Sequence, residues 1–149
     1  MATDLPNSAL DMSDNATPSG WSLAAGALLT AGALTADRQL RDAAETVLGR
    51  AARLAGHPQF WGHGLSVAEA LLDGPREIAV IAPPGSPLHR VALLATAPAA
   101  VVATTGPLCE GRDRIGGEDT AYVCRGFVCD APTTDRAVLA GQVRAMRAG

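Results

Sequence analysis

One uncharged segment constrains the fold of this chain more than any other feature of its sequence. Residues 18–36 are 19 consecutive positions without Asp, Glu, Lys or Arg, which is long enough for a helix to span a bilayer. The segment has three Gly, one Pro and only four Leu, and no cation precedes it, so membrane insertion would be marginal. A helix buried among other helices, with small residues where backbones approach closely, explains the same pattern and is the favoured interpretation.

Length, charge and cysteine content exclude several classes of protein. The 149 residues suit one ordinary domain, or one domain and a tail. Twelve Arg and no Lys stand against 15 acidic residues, a net charge of -3 without a basic patch, so no nucleic-acid partner is expected. Residues 1–17 lack the parts of a secretory signal, and three Cys without a CxxC pair favour reduced thiols, so a cytoplasmic location is expected.

The first half of the chain has the pattern of three helices. Thr17 and Pro18 suit the start of a first helix that is expected to end near residue 35. Asp37 can cap a second helix, whose apolar residues recur at spacings of three and four and whose other side is charged. Apolar residues over positions 60–72 predict a third helix.

The pattern changes after Pro75 to short apolar, β-branched runs separated by turn residues. In chain order we predict a strand (77–82), a helix (88–97), a strand (100–104), a long exposed loop (105–119), a hairpin (120–130) and a terminal helix that Thr134 can cap. The two strands should be parallel if they share a sheet. The predicted fold class is therefore α+β, with a helical unit at residues 1–75 and a small α/β unit at residues 76–149.

Two cysteines lie in the predicted hairpin. With a two-residue turn at Arg125 and Gly126, Cys124 and Cys129 are diagonal neighbours about 7–8 Å apart, beyond the usual range of a disulfide. A four-residue loop would place them directly opposite and allow one. Two buried, reduced structural thiols are favoured, since a cytosol is reducing and Cys109 has no adjacent His with which to complete a zinc site. No motif for a cofactor or a metal is present, because the segment AVIAPPGSP has one Gly and neither phosphate-binding pattern.

Two stretches carry a resemblance to a known family. DNATPSGWS, residues 14–22, resembles a D-G-A-x-P-S-G-N-S motif, and TAYVCRGFVCDAPTTD, residues 120–135, resembles A-Y-V-C-x-x-x-x-C-x-x-P-x-T-D. Both are similar to the C-terminal part of the thioredoxin-domain-containing family that includes the spermatogenesis-associated thioredoxin-like proteins. One departure is Trp21, which stands where that motif has Asn.

The resemblance implies a fold and a role. Members of this family have a thioredoxin-like domain followed by an (α/α) barrel similar to six-hairpin glycosidases and sugar 2-epimerases. This chain would supply the terminal helices of such a barrel and a small α/β unit, with no independent catalysis. The expected partners are the missing upstream barrel region or a thioredoxin-like domain, a carbohydrate, and further copies of the chain. A noncatalytic module that docks a thioredoxin-like domain is the alternative, and a membrane-associated protein built on the first helix is a third.

Four residues are candidates to line a pocket: Asp14, Ser19, Trp21 and His63. In a helical barrel the loops where helices begin line the central pocket, so Asp14 and Ser19 could hydrogen-bond a sugar, although helix capping is the favoured role. Asp14 and His63 are the one available acid and base pair, and an exposed loop position is the ordinary explanation of His63.

Aromatic residues offer a second possible sugar contact. Phe60 and Trp61, with Trp21, could form a stacking platform. Packing in the core is the favoured role for them.

Overall fold

Helices occupy the first part of the described chain, and a four-stranded sheet occupies the second. The computed structural model describes residues 13–51, 58–126 and 128–144. The helices within these residues are α1 (Gly20–Thr35), α2 (Arg38–Ala51), α3 (Gly62–Asp73), α4 (Pro87–Ala92) and α5 (Arg136–Arg144). The strands are β1 (Arg76–Ile81), β2 (Val101–Ala103), β3 (Thr120–Arg125) and β4 (Val128–Cys129), and short 3₁₀ helices lie at Pro58–Phe60 and Pro107–Cys109. The fold is mixed α+β, as predicted.

Local capping sets where the first two helices begin. Ser19, rather than Thr17, caps α1, since its Oγ accepts a hydrogen bond from the Ser22 backbone N–H at 3.1 Å. The helix therefore begins at Gly20 and not at Pro18. Asp37 caps α2 as predicted, with its Oδ1 2.8 Å from the Gln39 backbone nitrogen.

Small residues on α1 allow its neighbours to approach closely. A Cβ atom on Gly32 would lie 3.0 Å from the backbone oxygen of Asp37, where α2 comes against the last turn of α1. A larger residue at this position would push the two helices apart. The glycine therefore permits the tight helical pair that the uncharged segment predicts.

The prediction that α1 is buried on all sides is wrong. Ala25, Leu29 and Ala33 are buried, whereas Leu23 is 51% exposed and Leu34 is 37% exposed. In the described structure, the elements that pack against α1 cover one side of this helix and leave the other side exposed. None of the described helices combines the length and the apolar character that crossing a membrane requires.

The sheet has the strand order β2-β1-β3-β4 and lies between two clusters of buried residues, one on each of its faces. β1 pairs with β2 in parallel, as predicted, and with β3 antiparallel. Side chains alternate along β1, so that Ile78 and Val80 pack with α4 and α5, and Ala79 packs on the opposite face with α1 and Leu108. Leu108 is buried in the segment predicted to be a long exposed loop, so that prediction is wrong in part.

Two details of the second half differ from the predictions. α4 ends at Ala92, five residues before the predicted end. Asp135, rather than Thr134, caps α5, because its Oδ1 accepts hydrogen bonds from the backbone N–H groups of Ala137 and Val138 at 2.6 and 3.0 Å.

The register of the hairpin overturns the prediction of free thiols at its two cysteines. Arg125 pairs with Val128, and Cys124 lies directly opposite Cys129 with a Cα–Cα distance of 3.9 Å. The two cysteines form a disulfide. The turn begins one residue later than predicted because Gly126, at a φ of +56°, adopts the left-handed conformation that tight hairpin turns need after the last paired residue.

Candidate functional site

Asp14 joins the beginnings of two helices. Its Oδ1 accepts a hydrogen bond from the Ser19 backbone N–H at 2.7 Å, and its Oδ2 accepts one from the Gly64 backbone N–H at 2.8 Å. Its own backbone N–H donates to the Phe60 carbonyl at 2.7 Å. A carboxylate stabilises the free N–H groups at a helix N-terminus. The side chain, 5% exposed, therefore holds α1 and α3 together.

The electrostatics at Asp14 favour a structural role over an acid or base role. Burial acts to raise the pKa of this carboxyl, but hydrogen bonds from the Ser19 and Gly64 backbones, with further ones from the Ser22 and Ser19 side chains, hold the pKa below its ordinary value of 3.8. The group is ionised at neutral pH and has no proton to donate. Both of its oxygens already accept backbone hydrogen bonds.

Of the other predicted pocket residues, Ser19 contacts Asp14 through its backbone N–H. Ser19 is buried in the cap of α1, where its Oγ lies 3.0 Å from the Ser22 Oγ. Trp21 and His63 are half-buried. Within the described part of the chain, no hydrogen bond links Asp14 to His63.

Trp61 belongs to the core rather than to a stacking platform. It is 4% exposed and packs with buried residues of α1, α2 and α3. A Cβ atom on Gly64 would lie 2.4 Å from its Nε1, so the indole rests on the glycine backbone. Phe60 is half exposed, outside that cluster. The core interpretation is confirmed for Trp61 and wrong for Phe60.

An apolar groove lies between α1 and α3. We call it the α1–α3 groove; its volume is about 690 Å³. Apolar residues that line it include Leu23, Ala27, Leu34, Val67, Pro98 and Ala99. Its polar lining consists of Thr30, Ser66 and His63. Because most of this lining is apolar and three of its residues are polar, the groove favours contact with another apolar surface.

A second cavity surrounds the disulfide. We call it the disulfide cavity; its volume is about 360 Å³, and its lining includes Glu77, Arg112, Cys124 and Cys129. Arg112 Nη2 lies 3.1 Å from the Cys124 Sγ and 3.9 Å from the Cys129 Sγ. The guanidinium also donates to the Leu108 carbonyl and lies 5.5 Å from the centre of the Tyr122 ring. These contacts fix a cation beside both sulfur atoms.

Glu77 places a carboxyl group in the same cavity. It pairs with Cys124 across β1 and β3, so the two side chains share a face of the sheet. Burial raises the pKa of Glu77 above its ordinary value of 4.5, and the charges of Arg112 and Arg41 oppose that rise.

Sequence reasoning missed Glu77 and Arg112. Glu77 is the first residue of the apolar run EIAVIA, and this position could have indicated a site, because a charged group in a buried strand needs a compensating neighbour. Arg112 had no such signal, since its segment has no periodicity and only the fold brings it to the cysteines. No group of three or more His, Cys, Asp or Glu in the described ranges could hold a metal ion.

Comparison of the chain with protein-family models, with curated proteins and with solved structures finds no match.

Proposed function

We propose that this chain is a noncatalytic C-terminal unit of a protein that resembles the thioredoxin-domain-containing family, and that its α1–α3 groove packs against the preceding helices of an (α/α) barrel. The observation that carries the proposal is the exposed apolar side of α1. Leu23 and Leu34 face outward from a helix that has no charge on any side. A helix without a polar side is typical of the interior of a larger helical assembly.

The chemistry of the groove supports a helix as its occupant over a sugar. A sugar ring presents hydroxyl groups in several directions, and each needs a hydrogen-bond partner when it is buried. The groove offers Thr30, Ser66 and His63 for that purpose, on an otherwise apolar lining. Apolar side chains of a neighbouring helix would fill it without leaving polar groups unpaired.

Binding in trans tests this proposal. The chain would be mixed with one of two proteins from a member of the family, either the thioredoxin-like domain together with its barrel helices or the thioredoxin-like domain alone. We expect binding to the first, measured by calorimetry, and loss of that binding when Leu23 and Leu34 are both changed to Glu. Leu72→Glu is the matched control, because Leu72 is 87% exposed and lies on α3 outside the groove. Equal binding of the thioredoxin-like domain alone would favour the docking module and overturn the barrel proposal.

Without a partner, the groove should mediate association between copies of the chain. We expect the wild type to self-associate and to bind an apolar fluorescent dye, and we expect Leu23→Glu with Leu34→Glu to weaken the association about tenfold, since two charges would have to be buried. Sedimentation velocity over a concentration series measures this. Leu72→Glu should leave the association unchanged, and an equal effect of that control would contradict a role for the groove.

The purified chain should not turn over sugars. The acid of the predicted pair has both oxygens engaged by backbone N–H groups and is ionised, so it cannot protonate a leaving group. Incubation with aldoses, N-acetylhexosamines and aryl glycosides, followed by chromatography, checks this. Turnover that is abolished by His63→Ala, with the fold retained, would contradict the noncatalytic role.

A further inference from the structure

The disulfide joins one accessible cysteine to one buried cysteine. Cys129 is exposed on the two-residue edge strand β4, whereas Cys124 is 2% exposed in β3. A thiol arriving from solvent therefore reaches the Cys129 sulfur first. Attack there makes Cys124 the leaving group.

Arg112 is placed to stabilise that leaving group. Its Nη2 is closer to the Cys124 Sγ than to the Cys129 Sγ, at 3.1 against 3.9 Å. A neighbouring cation lowers the pKa of a thiol, and a thiol of lower pKa leaves faster in disulfide exchange. The exposure of Cys129 and the position of Arg112 beside Cys124 thus favour the same direction of attack, on the Cys129 sulfur with Cys124 as the leaving group.

The bridge is also poorly suited to a purely stabilising role. It joins residues that are five positions apart in the sequence. The stabilisation that a disulfide provides through the unfolded chain grows with the size of the loop it closes. A bridge across one tight hairpin constrains little that the paired strands do not already constrain.

We propose that Cys124 and Cys129 form a thiol–disulfide exchange centre that oxidises a dithiol. This activity is independent of the role proposed for the α1–α3 groove. A thiolate of the dithiol attacks the Cys129 Sγ, the Cys124–Cys129 bond breaks, and Cys124 leaves as a thiolate beside Arg112. The second thiolate of the dithiol then attacks the dithiol's first sulfur, which is bonded to the Cys129 Sγ in the mixed disulfide. This step forms a disulfide within the former dithiol and releases the Cys129 thiolate.

The exchange balances without a further reactant. Two electrons pass from the dithiol to the cysteine pair, and the two protons that the dithiol loses end on Cys124 and Cys129.

Glu77 and Glu110 are acidic groups that line the cavity, while Arg112 and Arg41 provide positive charge near Glu77. The Cys124 thiolate therefore forms in a site whose carboxylates are opposed by two guanidinium groups.

Single-cysteine variants test the direction of attack. In a Cys109→Ser background, Cys124→Ser leaves only Cys129, and Cys129→Ser leaves only Cys124. We expect Cys129 to react with an aromatic disulfide reagent at least about tenfold faster than Cys124, because Cys124 is buried. Equal rates in the two folded variants would overturn the assigned direction.

Reduction of the oxidised chain by dithiothreitol tests the centre itself. We expect the native protein to be reduced faster than it unfolds, Arg112→Gln to be reduced about threefold more slowly or worse, and Arg112→Lys to retain most of the rate. Arg114→Gln is the matched control, since Arg114 lies in the same segment and pairs with Asp119. The unfolding rate is measured by hydrogen exchange. If the disulfide is reduced no faster than the protein unfolds, the disulfide is structural and the proposal is overturned.

Two further comparisons of reaction rates complete the experiment. If Arg112→Gln does not fold, the comparison of the reduction rate with the unfolding rate in the wild type still decides the outcome. A reduced protein with a Cys-x-x-Cys pair, compared with dithiothreitol at equal concentration, identifies the source of the dithiol. A faster reaction of the protein supports a protein partner, and a faster reaction of dithiothreitol supports a small dithiol.

Discussion

Replacing Gly64 with Ala is expected to lower the free energy of unfolding by about 3 kcal/mol, near the upper end of the usual range for overpacking. The new methyl group would lie 2.4 Å from Nε1 and 2.6 Å from Cε2 of Trp61. Trp61 is itself buried against α1 and α2, so its indole cannot move aside without displacing other core residues. Urea denaturation followed by circular dichroism measures the change.

Gly62→Ala is the matched control for this substitution. Gly62 lies in the same helix, and a Cβ atom there would meet nothing within 4 Å. Because Ala favours helix more than Gly does, we expect no loss and a gain of up to about 1 kcal/mol. An equal loss in both variants would contradict the contact with Trp61 as the cause.

Replacing Asp14 with Asn is expected to cost about 2–4 kcal/mol. The carboxylate accepts one backbone hydrogen bond on each oxygen, and hydrogen bonds to a charged group contribute more than neutral ones. An Asn amide has one oxygen, so its NH₂ group would face the second backbone N–H and leave that donor unpaired. Thermal and urea unfolding measure the loss.

Asp37→Asn is the control for the loss of charge at a helix N-terminus. Asp37 is exposed and caps α2 through one hydrogen bond, a role that Asn fills equally well. We expect a change of a few tenths of a kcal/mol at most. A similar cost at both positions would contradict the joining role of Asp14.

The same carboxyl group makes stability depend on pH in the acid range. The pKa of Asp14 is lower in the folded chain than its ordinary value of 3.8, so its contribution is fully present above that value and is lost as the pH falls through the folded pKa. The unfolding free energy of the wild type should therefore fall on acidification below about pH 4–5, and that of Asp14→Asn should fall less steeply. Some slope remains, because hydrogen bonds from Val138 and Ala137 also lower the pKa of Asp135. Parallel slopes would contradict this prediction.

The positions of most elements could be predicted because their signals are local. The cap at Asp37 and the apolar spacing after it located α2, and β-branched runs located β1 and β2. The errors at local boundaries have local causes as well. Ser19 and Asp135 compete with their neighbours Thr17 and Thr134 as caps, and Gly126 shifts the turn of the hairpin by one residue.

Contacts between distant parts of the chain could not be predicted. Asp14 and Gly64 are 50 positions apart, and Arg112 reaches Cys124 from a segment without periodicity. The sequence alone identified these residue types as able to cap, pair or react. It did not identify their partners, since a partner depends on how helices and strands pack.

By itself the sequence determined that a helical half precedes a strand-rich half, that α1 is uncharged on every side, and that the 12 Arg residues form no dense run, because each of these follows from residue order and composition. The tertiary structure alone decided which side of α1 stays exposed and which hairpin register joins Cys124 to Cys129. It also decided that Asp14 binds two helix N-termini and that a cation lies beside the disulfide. The physical reason is that burial, hydrogen bonding and charge act through distances in space, and these are set only when elements far apart in the chain have packed together.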